Sequence, residues 1–377
     1  MKKNVYVILL ALVLMSTVVF AGCGGNQEPA PPTPAQPVAA PEQAGDSESE
    51  PQTRTIVDIA GREVIIPANP TRTASLVGPG YEKIILLNAV EKVVITGSRS
   101  ASTSWGGVVA PDYANVAITE DATNPNIEEM IELGVEVVFY WDSYPEVIER
   151  LDQAGIATVV TQLGSGNPKS IEEFLEFQKR EVMLFGEVLG EPYLSRAEEW
   201  CRFFDAKIAG VRSRTDSLTP DQRPDVYYVR GPEALTIHGR NSYTMWLVEM
   251  AGGNLVSRDS EIELLYTTTM EDVVGWDPEY IFMGRVNNTD LIYDDPAFSS
   301  IQAVKEEKVF VNPKGVMAWD YSSEGFMLME FIAKTLHPDL FEDLDIMQEI
   351  KDYFNDWYGY ELSEDEAMRI YNFQDPA

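Results

Sequence analysis

Short apolar segments alternate with segments of helical periodicity along most of the chain after residue 54. This alternation is typical of α/β proteins, in which helices connect the strands of a mostly parallel sheet. A small β-hairpin, over 55–58 and 63–66, comes first. The predicted strands then fall into two sets, 73–76, 93–96, 137–140 and 157–160, followed by 226–229, 280–283 and 309–311. The pattern predicts two α/β lobes with mostly parallel sheets, at residues 54–170 and 219–377.

The segment between the two sets, residues 171–218, has helical periodicity and no strand signal. Ser170 and Glu173 fit a capping box at the start of one helix, and Pro192 suits the first turn of a second. Apolar residues of the second helix recur at the spacing of one buried face, at Leu194, Ala197, Cys201, Phe204, Ile208 and Val211. We expect a single long rigid helix to join the lobes, with the ligand cleft between them.

One lobe repeats part of the other at a constant offset. Residues 126–131, Asn-Ile-Glu-Glu-Met-Ile, lead into one predicted strand, and residues 269–274, Thr-Met-Glu-Asp-Val-Val, lead into another. Glu128 and Glu271 hold the same position in these two capped helices, 143 residues apart. Acidic residues in a first turn stabilise the helix dipole. Two matched carboxylates, one per lobe, also suit a partner that contacts both lobes.

The first part of the chain differs in composition from the rest. A basic head, an apolar run over 5–20 and small residues before Cys23 predict a secretory signal at residues 1–22. The run is too short to span a membrane as a helix. The residues before Cys23 are similar to the lipobox of bacterial lipoproteins, which implies lipidation of this cysteine. Residues 23–53 are rich in Pro, Ala, Glu, Gln and Ser, and this composition predicts a disordered tether.

Charge and composition exclude several classes of function. A formal net charge of −33 argues against nucleic-acid binding, which requires Lys and Arg at the phosphates. Two distant cysteines exclude a disulfide framework, and two histidines exclude a three-histidine metal site in one chain. The chain also lacks a complete dinucleotide fingerprint, a P-loop, a G-x-S-x-G motif and an H-E-x-x-H motif. We therefore expect no enzymatic activity, with a hydrolase based on scattered carboxylates as an alternative.

Candidate ligand-binding residues follow the predicted strands, because ligands of open α/β sheets lie beyond the carboxyl ends of the strands. Arginine binds carboxylates and similar anions through a planar, permanent charge, while Trp and Tyr cover apolar faces. The candidates are Tyr81, Arg99, Trp105, Trp141, Tyr144, Arg230, His238, Arg240, Arg285 and Trp319. With so few histidines, we expect no protein metal site and no cofactor, and a metal, Fe(III), that arrives inside a chelator.

From residue 54 onward the chain resembles the iron-siderophore and cobalamin branch of bacterial ABC-importer binding proteins, the class III type with a rigid helix between the lobes. The motifs that carry the resemblance, in order, include Asp58-x-x-Gly61-Arg62, Asn69-Pro70-x-Arg72, Asn126-x-Glu128, Glu249-Met250-Ala251-Gly252-Gly253-Asn254 and Pro296-Ala297-Phe298. The resemblance implies a ligand in the cleft, modest hinge motion, and docking of Glu128 and Glu271 onto arginines of a membrane permease.

The sequence is thus interpreted as a substrate-binding lipoprotein on the outer face of the bacterial cytoplasmic membrane. It is expected to act as a monomer, to contact the membrane only through its lipid, and to deliver a ferric siderophore to an ABC permease and its ATPase. Haem or a corrinoid is the alternative ligand, and a surface adhesin is an alternative function.

Overall fold

Two large sheets organise the part of the chain that the computed structural model describes, residues 52–97, 104–164 and 167–377. The predicted signal peptide, Cys23, nearly all of the predicted tether and Arg99 lie outside these residues. Contacts group residues 50–377 into one unit, so the boundaries between the lobes and the helical connection stay a prediction.

The first sheet has five parallel strands in the order β5-β4-β3-β6-β7. They are β3 (Thr73–Ser75), β4 (Val93–Thr96), β5 (Ala117–Ile118), β6 (Val137–Trp141) and β7 (Ala157–Gln162). The central part of β6, from Val137 to Tyr140, is fully buried. Such a continuous apolar run is expected of a parallel strand that is covered on both faces.

An antiparallel hairpin, β1 (Thr53–Val57) and β2 (Glu63–Pro67), precedes this sheet. Asp58, which is 3% exposed, joins the hairpin to β7 by accepting hydrogen bonds from the Val160 amide at 3.2 Å and the Arg62 amide at 2.9 Å. Arg62 pairs with the same carboxylate at 2.8 Å and donates to the Thr158 carbonyl at 2.7 Å.

The second sheet has six strands and is mostly parallel at its centre. Its order is β11-β9-β8-β12-β13, with β10 beside β8. The strands are β8 (Asp225–Val229), β9 (Thr236–His238), β10 (Asn254–Leu255), β11 (Leu265–Thr267), β12 (Tyr280–Met283) and β13 (Val309–Val311). Among the described strands of this sheet, β9 pairs antiparallel with both β8 and β11, and the other pairings are parallel. The predicted α/β fold with two mostly parallel sheets is confirmed.

Helices cover both sheets. In the described residues they are α1 (Gly80–Leu86), α2 (Trp105–Val109), α3 (Ile127–Glu132), α4 (Pro145–Gln153), α5 (Ile171–Leu189), α6 (Tyr193–Thr215), α7 (Tyr243–Met250), α8 (Met270–Trp276), α9 (Asp290–Tyr293), α10 (Gln302–Lys305), α11 (Gly325–Leu336), α12 (Ile346–Tyr358) and α13 (Glu364–Tyr371). None of the described helices is both long and apolar enough to cross a bilayer.

The connection between the sheets consists of two helices, α5 and α6, that pack against each other. Ser170 caps α5 as predicted, but Glu173 reaches the Lys169 amide at 2.8 Å and so does not complete a capping box. The buried face of α6 includes Trp200, which the predicted apolar stripe missed. Cys201 is half-buried and contacts the Lys179 carbonyl of α5, and burial raises the pKa of its thiol to about 11. The thiol thus packs against α5, although Cys201 is less buried than its place on the predicted stripe implied.

The end of the chain packs against the first lobe and the connection. Trp105 donates its indole hydrogen to the Gln374 carbonyl at 3.0 Å, and Arg196 donates to the Trp357 carbonyl at 2.6 Å. Trp200 donates to the Tyr353 hydroxyl at 3.2 Å. Helices α12 and α13 therefore belong to a core that extends across both lobes.

Replacing Asp58 with alanine is expected to lower the free energy of unfolding by about 3 kcal/mol, because Arg62 and the Val160 amide lose a buried acceptor. Urea denaturation measures this change. Glu63→Ala, at an exposed position of β2, is the control and should stay within about 0.5 kcal/mol of the wild type. Equal losses in the two variants would contradict the role of Asp58.

Candidate functional site

A cavity of about 310 Å³ lies where the carboxyl ends of strands from both sheets meet the connecting helices. Gln162 ends β7, while Arg230 and Arg285 follow β8 and β12. The polar residues of the lining are Lys83, Gln162, Asn167, Gln178, Glu181, Arg230, His238, Asn241, Tyr243, Arg285, Asp320, Tyr321 and Ser322. Its aromatic residues besides the tyrosines are Phe174, Phe177, Phe204, Trp319 and Phe326.

Four of the ten predicted ligand-binding residues line this cavity: Arg230, His238, Arg285 and Trp319. The others that the structure describes lie elsewhere. Tyr81 is buried and donates to the Val316 carbonyl at 3.0 Å, and Trp105 is fully buried against the end of the chain. Both residues lie at the starts of helices, α1 and α2, and these helices place their side chains in the core.

Three further candidates also lie outside the cavity lining. Trp141 and Tyr144 pack against each other at 5.9 Å between ring centres, and the Trp141 indole donates to Gln162, which does line the cavity. Arg240 is exposed and pairs with Glu263 at 3.5 Å. Trp141 therefore contacts a cavity residue without lining the cavity itself. The charge of Arg240 is paired with Glu263 at the surface.

Arg285 is fixed by an ion pair. Its Nε lies 3.0 Å from Asp320 Oδ1, and Asp320 is only 4% exposed. Nη2 of Arg285 donates to the Tyr243 hydroxyl at 2.9 Å, and the guanidinium lies 5.0 Å from the ring centre of Tyr321. A guanidinium with these partners orders the cavity wall and has little charge left for an anion.

His238 is a neutral part of the same network. Its Nε2 lies 3.1 Å from the Tyr243 hydroxyl, and its Nδ1 lies 3.0 Å from Oγ1 of Thr244. Burial, with the nearby charges of Arg285 and Arg230, lowers the pKa of His238 to about 3. Since both ring nitrogens have partners, the imidazole orients Tyr243 and offers no free metal-binding nitrogen.

Arg230 differs from Arg285 because no carboxylate of the described residues forms an ion pair with it. Its Nη1 donates to the Gly231 carbonyl at 3.2 Å, and its buried Nε has no hydrogen-bond partner among the described residues. The indole nitrogen of Trp319 is likewise buried without a partner there. Buried donors are almost always satisfied in folded proteins, so two open donors on one cavity suit a ligand that supplies acceptor oxygens.

A polar bridge crosses the cavity. The side-chain amide of Gln162, at the end of β7, donates to the Tyr321 hydroxyl, which lies in a short 3₁₀ turn over Trp319–Tyr321. The bridge links the first sheet to the segment that carries Asp320 and Trp319. It holds both sides of the cavity together.

Several lining residues were not among the predicted candidates, including Lys83, Gln162 and Tyr243. No local sequence pattern identifies them, since their place in the cavity lining depends on contacts with distant segments of the chain. One exception is α5, where Phe174, Phe177, Gln178 and Glu181 share a helical face. A carboxylate on a largely apolar helical face, as at Glu181, can be recognised in the sequence as a candidate site residue.

Glu128 and Glu271 are exposed, at the starts of α3 and α8. Asn126 accepts a hydrogen bond from the Glu128 amide at 3.1 Å, and Thr269 accepts one from the Asp272 amide at 3.1 Å, so both helices are capped as predicted. No described residue pairs with either carboxylate. One turn further on, Ile131 and Val274 are also exposed, by 54% and 48%.

Within the described ranges, no group of three or more His, Cys, Asp and Glu side chains is placed to hold a metal ion. The carboxylates at the cavity, Glu181 and Asp320, each lie beside a cation instead.

A profile of the periplasmic binding protein family matches residues 82–315 of the chain. The chain is 27% identical over 335 residues to the molybdate-binding protein MolA of Haemophilus influenzae, an alignment that covers 84% of this chain and 94% of MolA. It also resembles the structure of a periplasmic solute-binding protein from Veillonella parvula, with 26% identity, a TM-score of 0.73, and coverage of 85% and 97% of the two chains.

A structure of MolA bound to molybdate is similar as well, with 25% identity, a TM-score of 0.73, and coverage of 82% of this chain and 99% of MolA. The likeness to Helicobacter pylori CeuE with Ni(II), at 19% identity and a TM-score of 0.67 over 84% of this chain and 99% of CeuE, concerns the fold.

The depressed pKa of His238 predicts a loss of stability in acid. A histidine held neutral in the folded state favours unfolding as the pH falls below its ordinary value of about 6.5. In NMR spectra of the folded protein, the His238 resonance should not titrate between about pH 5 and pH 8. His238→Gln identifies the resonance, and a His238 signal that shifts near neutral pH would contradict the burial argument.

Proposed function

Because this chain belongs to the periplasmic binding protein family, as a solute-binding component of an ABC transporter, we propose that it captures an anionic metal chelate outside the membrane. The first candidate is a compact ferric siderophore. The protein would hold it in the cavity and present it to the permease, while the lipid on Cys23 keeps the monomer at the membrane.

Arg230 is the observation that carries this proposal. Its guanidinium lines the cavity, has no ion-pair partner among the described residues, and keeps a buried Nε without an acceptor. Arginine binds carboxylate and related oxygens through charge-assisted hydrogen bonds, which are about twice as strong as neutral ones. An anionic ligand would satisfy Arg230, and the indole nitrogen of Trp319 would donate to a second oxygen.

The rest of the lining supports a ligand with an organic part. Phe174, Phe177, Phe204 and Phe326 reach the cavity from α5, α6 and α11. Small-molecule sites are mostly apolar with a few polar groups that fix orientation. A volume of about 310 Å³ is at the lower end of the usual range of about 300–1,000 Å³, which favours a compact chelate over a haem or corrinoid macrocycle.

The second candidate is a metal oxyanion. The relative named for molybdate binding aligns with 84% of this chain. An oxyanion would also satisfy the open donors of Arg230 and Trp319, although it would not use the phenylalanine side chains. Titration distinguishes the two candidates.

We expect one anionic species to quench tryptophan fluorescence saturably, because Trp319 lines the cavity. The titrants are ferric citrate, a ferric hydroxamate, molybdate, haem, cobalamin and a free iron salt. Arg230→Gln should weaken binding of the active species by about tenfold to a hundredfold, the value of a charged hydrogen bond.

Arg240→Gln is the matched control, because Arg240 is exposed and outside the cavity lining, and its affinity should equal that of the wild type. Binding of molybdate alone would select the second candidate. Undiminished binding by Arg230→Gln would remove the anion site from the cavity.

Glu128 and Glu271 are proposed to dock onto the permease, since both are exposed, unpaired with any described residue and equivalent in the internal repeat. The double variant Glu128→Ala/Glu271→Ala should bind ligand normally and lose stimulation of the transporter ATPase in proteoliposomes. The control is Glu146→Ala/Asp290→Ala, which removes two other exposed first-turn carboxylates. Full stimulation by the Glu128/Glu271 variant would instead favour a scavenger that does not use a permease.

A further inference from the structure

The wall that α5 contributes to the cavity carries a carboxylate with no role in the proposed function. Glu181 is 6% exposed and lies on the helical face that also carries Phe174 and Phe177. No hydrogen bond from a described residue reaches its carboxylate. Its nearest cation is Lys83, with Nζ at 3.9 Å from Glu181 Oε2. An ionised Glu181 would place negative charge at a site that is proposed to receive an anion.

Lys83 does not neutralise Glu181 fully, because its ammonium lies closer to a second carboxylate. Its Nζ lies 3.3 Å from Oε2 of Glu82, and Lys83 and Glu82 are both buried. Glu82 also accepts hydrogen bonds from the Ser323 amide at 3.2 Å and the Tyr358 hydroxyl at 3.4 Å. With one ammonium between two carboxylates, and with the extra donors at Glu82, Glu181 is the one of this pair that takes up a proton. A third buried carboxylate, Glu324, shares the Tyr358 hydroxyl with Glu82, and burial raises its pKa to about 8.

The groups that face Glu181 come from several elements. Helix α1 supplies Glu82 and Lys83, and the 3₁₀ turn supplies Tyr321, whose own pKa is raised by burial. Helices α6 and α7 contribute Phe204 and Leu247, which are apolar, to the same cavity. Burial raises the pKa of Glu181 to about 7, with Lys83 opposing the shift and Glu82 adding to it.

We infer that Glu181 determines the charge that the ligand may carry, and that the cavity takes up one proton from solvent when it binds an anion. This inference rests on the proposed function and adds a condition to it. Protonated Glu181 removes the repulsion and offers an O–H donor to a ligand oxygen, whereas ionised Glu181, which is buried and weakly screened, repels the anion. The ligand class is thus an anion with an oxygen acceptor that reaches α5.

The test measures affinity against pH with molybdate and with ferric citrate as separate probes. Molybdate keeps the same charge at neutral and alkaline pH, so any change reports on the protein. From about pH 6 to about pH 8.5, wild-type affinity should fall by up to about tenfold per unit above neutrality, with proton uptake visible in calorimetry in different buffers.

Glu181→Gln should bind at every pH about as tightly as the wild type does in acid, without proton uptake. Glu176→Gln is the matched control, because Glu176 is exposed on the same helix and pairs only with Lys179 among the described residues. It should keep the wild-type pH dependence. Wild-type affinity that is constant or rises with pH would overturn the inference and leave the proposed function standing.

If neither probe binds at any pH, those ligands are wrong, and the inference is tested on the stability of the ligand-free protein. A raised carboxyl pKa in the folded state costs stability as the pH rises from about 4.5 towards 7. The melting temperature of the wild type should therefore fall relative to Glu181→Gln over that range. Parallel melting profiles would show that Glu181 does not take up a proton there, and would overturn the inference.

Discussion

Arg285 and Asp320 form an ion pair at the edge of the cavity, and the surrounding polar groups are arranged about it. Tyr243 accepts a hydrogen bond from Arg285, His238 is held neutral beside Tyr243, and the ring of Tyr321 lies against the guanidinium. Removing a charge from water costs free energy, and a partner of opposite charge offsets that cost. Arg285 is therefore paired within the protein. Arg230, which follows the neighbouring strand, keeps a positive charge that can pair with a ligand.

The same requirement explains why the cavity has two different polar regions. Arg230 and Trp319 each keep a buried donor without a partner among the described residues, whereas Glu181 and Glu82 share Lys83. The same cavity is also lined by phenylalanine side chains from the connecting helices. A ligand is therefore selected by where its charge lies as well as by its size.

Sequence patterns predicted the fold well where the signal is local. Strands such as β4, β12 and β13 agree with their apolar runs in both bounds, because buried parallel strands are continuous and β-branched. Strands β5, β9, β10 and β11 were missed, since none of them has the uninterrupted run of three apolar residues that marks the similarly short β13. The site was harder to predict. Arg230 and Arg285 look alike in the sequence, and only the partnership with Asp320, 35 residues beyond Arg285, separates them. Tyr81 and Trp105 have the composition of ligand contacts, but their partners, Val316 and Gln374, are far away along the chain.

The packing of α12 and α13 on the first lobe has a consequence for the order of folding. Trp105 finds its acceptor at Gln374, and Arg196 joins the end of α1 at the Leu86 carbonyl to Trp357. Translation proceeds from the N-terminus, so the ribosome adds Trp357 and Gln374 long after Leu86 and Trp105. The first sheet is therefore without part of its core until the segment that carries α12 and α13 has been made, and the native state becomes accessible only after that.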